Sequence, residues 1–113
     1  MERNLLSLFH ILVVSAVFIY VGIMQKNTPK MMYWIFLVVG SVIVLYHSYE
    51  CYTHYMNNKS IWVNLFHILL VGPILIYIGT RGDQTPRMWY EILLMLGFAS
   101  LGYHGYYLVK GVL

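Results

Sequence analysis

Four of the five histidines in this 113-residue chain recur in matched surroundings, and each lies in a strongly apolar run. His10 and His67 both stand in Leu-Phe-His-Ile-Leu, while His47 and His104 both follow a tyrosine and precede another by two positions, Tyr46-His47-Ser48-Tyr49 and Tyr103-His104-Gly105-Tyr106. A neutral imidazole offers one N–H donor and one lone pair. Four of them can form a hydrogen-bonded layer that specifies how helices pair, with Ser7, Asn64, Tyr46, Tyr49, Tyr103 and Tyr106 near enough in sequence to act as partners. They can instead satisfy a tetrahedral divalent metal. Two from diagonal helices, His10 and His67, could take the axial positions of a haem b; Gly40 and Gly97, each seven residues before a histidine, would then leave space beside the ring. As groups that titrate near neutrality they could also carry protons or ions through a membrane. All three readings stay open, because the spacing is not a recognised ligand motif: there is no His-Glu-x-x-His, no Cys-x-x-Cys and no carboxylate cluster within the apolar runs.

The matched surroundings are part of a longer correspondence. At a constant offset of 57, Thr28-Pro29 answers Thr85-Pro86, Tyr33 answers Tyr90, and Gly40 answers Gly97; 19 of the 42 positions from 8 to 49 are identical without a gap. Self-similarity at a fixed period constrains architecture before any other signal. It implies a tandem duplication with repeats over 1–56 and 61–113.

Composition supplies the setting. The chain is 60% hydrophobic and 10% charged, with a mean hydropathy of +0.69, far below the roughly 25% charge of ordinary soluble domains. Segments 5–24, 31–49, 61–80 and 88–109 each approach the ~20 apolar residues that cross a bilayer as a helix. Arg3 before an apolar run suggests a signal peptide, but the same run returns at 61–80 inside the chain, so 5–24 reads as a mature helix. The expected fold is all-α: one integral membrane domain over 1–113, a four-helix bundle of two tandemly duplicated transmembrane hairpins related by a pseudo-twofold axis. Such a bundle would hold His10, His47, His67 and His104 in one inward layer near the surface shared by the termini and the central link.

The connecting segments fit this plan. Thr28-Pro29 and Thr85-Pro86 suit a helix start, threonine as N-cap and proline at the next position. Glu50 to Ser60 reads as the link between repeats, with Glu50 able to pair with Lys110 or Lys59. Asn58-Lys59-Ser60 formally matches a glycosylation sequon but abuts the third span. Pro73, where the first repeat has Ala16, should kink the third span. Tyrosines and tryptophans gather near span ends, among them Tyr33, Trp34, Trp89, Tyr90, Tyr49, Tyr52, Tyr55, Trp62 and Tyr106, as an interfacial aromatic belt. Basic residues at the two sides number four (Lys26, Lys30, Arg81, Arg87) against three (Arg3, Lys59, Lys110), which sets no orientation. Cys51, the single cysteine, forms no internal disulfide.

The run from Asn64-Leu65-Phe66-His67 through Gly72-Pro73 to Tyr77-Ile78-Gly79, with Thr85-Pro86 and Tyr103-His104-Gly105-Tyr106, resembles small uncharacterised multi-span membrane proteins of large DNA viruses of algae and protists. That resemblance implies an infected-cell membrane or an internal virion membrane as the location, and it brings no activity or site residues with it. The residues themselves point to a multi-pass, non-enzymatic membrane bundle, structural or binding, with haem b or a divalent metal as candidate cofactor. A proton- or ion-conducting, viroporin-like protein is the alternative. The expected partners are lipid and further copies of the chain; singly scattered basic residues exclude a nucleic-acid footprint.

Overall fold

The structure, a computed structural model, describes Leu5 and residues 8 to 112; the polar lead at 1–4 and Ser7 lie outside the described residues. Those residues form helices joined by short turns, with no strand among them. Four helices are long and apolar enough to cross a membrane: α1 (His10–Asn27), α2 (Lys30–Met56), α3 (Trp62–Gln84) and α4 (Arg87–Lys110).

The helix starts differ from expectation in a way that geometry explains. Proline itself takes the cap before α2, with φ −55° and ψ 139°, and the first turn closes through Met32 N–H to the Pro29 carbonyl at 3.0 Å. Trp89 N–H does the same to Pro86. Threonine sits one residue earlier and faces backwards: the Thr85 hydroxyl donates to the Gly82 carbonyl at 2.6 Å, tying the turn to the end of α3. At the other end of α2 the helix runs on to Met56, well past the expected 49, because Cys51 to Tyr55 contains no breaker. Asn58, with φ 57°, ends it. Within this extension Glu50 pairs with His54 at 3.2 Å and accepts from the Tyr46 hydroxyl at 2.8 Å, rather than meeting Lys110 or Lys59.

The turns after α1 and α3 each begin with a left-handed residue, Gln25 at φ 52° and Gly82 at φ 58°. Glycine adopts this backbone without strain, whereas a residue with a Cβ does not. Gln25→Gly is therefore expected to stabilise the protein by about 1 kcal/mol, read as a raised unfolding midpoint in detergent. An unchanged or lowered midpoint would mean that the Gln25 backbone carries no strain.

The chain divides into two packing units, one containing α1 and α4 and the other α2 and α3. The units do not follow the two hairpins expected from the sequence, since each takes one helix from each repeat. The reason lies in where small residues let backbones approach. In the α2–α3 unit a Cβ on Gly79 would meet Leu37 N and Tyr33 O at 2.7 Å, and one on Gly40 would meet Ile76 Cγ1 at 2.9 Å and the Gly72 carbonyl at 3.0 Å. In the α1–α4 unit a Cβ on Gly22 would meet Leu94 Cβ at 2.7 Å, and one on Gly97 would meet Ile19 Cγ1 at 2.8 Å and Phe18 Cβ at 3.1 Å. Tyr33 and Tyr90, expected in the interfacial belt, are buried instead. Trp34, Tyr49, Tyr52, Tyr55, Trp62 and Tyr106 are exposed.

Candidate functional site: two imidazole pairs

Each unit contains one cross-helix pair of histidines. His10 of α1 stacks on His104 of α4 with ring centroids 4.2 Å apart and planes at 27°. His67 of α3 stacks on His47 of α2 at the same 4.2 Å, with planes at 16°. The four sequence-flagged residues are thus brought together two by two. Among the described residues no group of three or more His, Cys, Asp or Glu side chains converges as a metal cage would require.

A local irregularity positions one ring of each pair. Both α1 and α3 contain a π stretch that begins at the histidine, His10–Ser15 and His67–Val71; in α3 the Gly72 N–H reaches back five residues to the His67 carbonyl. A π turn closes i→i+5 rather than i→i+4 bonds, so residues five apart come onto one face. His10 is thereby aligned with Ser15, Phe18 and Gly22, and His67 with Gly72, Leu75 and Gly79. Pro73 sits where the π stretch of α3 returns to α-helix, and α1 makes the same transition at Ala16 without proline. The opposite rings need no such device: His47 and Gly40, like His104 and Gly97, share a face at ordinary helical spacing.

Hydrogen bonds fix the tautomers of the α2–α3 pair. His47 Nδ1 lies 2.8 Å from the Asn64 side-chain oxygen, and His67 Nδ1 lies 2.8 Å from the Val63 carbonyl one turn earlier. Both oxygens are acceptors, so in each neutral ring Nδ1 carries the proton and donates, and Nε2 is the basic nitrogen. Asn64 is itself buried. Each ring also has an aromatic edge beside it: Tyr46 and Phe66 in one unit, Phe9 and Tyr103 in the other. Of the expected hydrogen-bond partners, Asn64 serves, Tyr46 turns its hydroxyl to Glu50, and Ser7 is outside the described residues.

The glycines proposed to flank a ligand lie against the facing helix. Gly40 and Gly97 are filled by the facing helix, Gly40 by Ile76, Leu75 and the Gly72 carbonyl, and Gly97 by Ile19 and Phe18. Both positions are points of close approach between the two helices of their unit. Outside the pairs, Glu91 lies on the first turns of α4 next to Arg87 at 3.4 Å, and Cys51 is a half-buried free thiol. The Val63 carbonyl and the imidazole stacking itself gave no sequence signal. No family model, curated protein or solved structure matches this chain.

Proposed function

We propose that this chain is a multi-pass integral membrane protein built from a duplicated hairpin, whose imidazole pairs lock helices together and bind a divalent metal ion at their Nε2 edges. The observation that carries the reading is the recurrence of one 4.2 Å stack in both units, His10 on His104 and His47 on His67. Equivalent helix contacts at positions 57 apart, Gly22 on Leu94 and Gly79 on Leu37, support the duplication. The membrane setting is supported by the four long apolar helices and by side chains such as Leu12, Leu45, Leu69 and Met95, all well exposed on their outer faces. Apolar outer faces also suit self-association within a bilayer.

The geometry favours a metal ion over haem at any one pair. Axial ligands of a haem approach iron from opposite faces of the macrocycle, whereas two rings stacked nearly parallel present their edges side by side. A divalent ion such as zinc takes imidazole nitrogens at ~2.0–2.1 Å and accepts two adjacent ones, with water or a residue of another copy completing its shell. The Nδ1 bonds of His47 and His67 to oxygen acceptors give the outer contacts that orient metal-binding imidazoles. A bundle of this kind needs no catalytic group, and we read it as a binding and structural protein.

Purified protein in detergent, analysed for metal and by absorption, tests the reading. It should contain about one divalent ion per imidazole pair, with half of the metal lost in His67→Ala and the other half in His10→Ala. A Soret band abolished by both substitutions would establish haem instead. Metal-free, colourless protein whose liposomes acidify faster below about pH 6.5 would establish a proton path.

A further inference from the structure

We propose that the seam between α1 and α4 holds an internal water molecule bonded to the hydroxyls of Ser15 and Ser100, a polar site that the α2–α3 unit does not have. Ser15 is 1% exposed, and the hydroxyl oxygens of Ser15 and Ser100 are both buried without a hydrogen-bond partner among the described residues. The register of the α1–α4 pair brings them to one level: His10 lies on His104, Phe18 and Ile19 meet Gly97, and Gly22 meets Leu94. Counting inward from these contacts, Ser15 falls opposite Ser100 and Leu101.

Other hydroxyls in the same protein show what a helical serine or threonine does when left to its own backbone. Ser41 donates to the Leu37 carbonyl at 2.8 Å and Thr80 to the Ile76 carbonyl at 2.7 Å, each four residues back. Ser15 and Ser100 do not take this bond, although both are helical, and for Ser15 the π stretch that ends at that residue displaces the preceding turn. Their oxygens therefore have no partner on their own helices and yet are shielded from the surroundings. Buried polar groups left unpaired are costly, and the usual resolution is a water with two to four polar partners. The corresponding residues of the other unit are Gly72 and Ile43, which carry no polar side-chain atom. There Val44 Cγ2 occupies the space in front of Gly72.

This inference is independent of metal binding, and it places a polar level about one turn from the His10–His104 pair, within the α1–α4 unit. An experimental structure of the protein in lipid, at a resolution that shows ordered water, should reveal a density peak within about 3 Å of both Ser15 Oγ and Ser100 Oγ. Finding the two hydroxyls bonded to each other, or each to a backbone carbonyl with no water between them, would overturn the proposal. The variant Ser15→Gly/Ser100→Ile introduces the residues that the α2–α3 unit already accommodates. It should keep its helix content and lose the peak, and persistence of the peak in that variant would equally overturn the assignment.

Discussion

Gly79→Ala should destabilise the α2–α3 unit by about 3 kcal/mol, near the upper end of what one added methyl in a packed seam costs. The new methyl would lie 2.7 Å from two main-chain atoms, Leu37 N and Tyr33 O. A side chain can turn aside, but helix backbone cannot, so the helices must separate and give up the contacts made by Leu75, Ile78 and Phe36, all buried. Separation would also pull His67 from His47. Gly102→Ala is the matched control, since nothing approaches within 4 Å of a Cβ there. Removing a glycine from a helix interior is expected to stabilise by ~0.5–1 kcal/mol. Reversible unfolding in mixed detergent, followed by helix signal, reads both changes; equal effects at the two positions would mean that Gly79 is not a point of helix contact.

His47→Ala should cost a further kind of energy, about 2–4 kcal/mol in all. The stack on His67 is worth ~0.5–1.5 kcal/mol beyond its buried area. The larger part comes from Asn64, whose buried side-chain oxygen loses the imidazole donor at 2.8 Å and is left unpaired at ~1–3 kcal/mol. The additional change Asn64→Leu, which removes the stranded amide, should recover much of the loss. A double variant no more stable than His47→Ala alone would show that Asn64 is satisfied some other way.

The sequence made the four helices legible because their apolar length is set by the bilayer-scale runs themselves, and it made the imidazoles legible because they recur. It could not reveal which helices pack together. The two repeats are so alike that α1 meeting α4 and α3 meeting α2 bring together the same residue types as α1 meeting α2 and α3 meeting α4. Gly22 facing a leucine, or Gly97 facing Phe18 and Ile19, satisfies either pairing from sequence alone. The π stretches were equally hidden: helices apolar on all sides show no shift of hydrophobic face when one residue is inserted into a turn. That shift moves His10 into line with Ser15, and without it the serine pair is invisible. Comparison of repeats did hold a usable trace, since Ser15 and Ser100 are polar where their counterparts Gly72 and Ile43 are not.

Threonine and proline at the turns after α1 and α3 teach a similar lesson. Thr28-Pro29 and Thr85-Pro86 mark the turns correctly as sequence signals, but proline occupies the cap and Thr85 secures the helix behind it. Glu50 likewise found its partners, His54 and Tyr46, on its own helix, because α2 continues to Met56 and holds both one turn away.

The proposal that the paired imidazoles bind a divalent metal through Nε2, with Nδ1 donating in His47 and His67, is tested most directly by nitrogen-15 NMR of histidine-labelled protein above the pH at which imidazole titrates. For His47 and His67 the account predicts a protonated Nδ1 and an unprotonated Nε2, with the Nε2 signal alone moving strongly when zinc is added. An Nε2-protonated tautomer at both rings, or Nε2 signals indifferent to zinc, would contradict it.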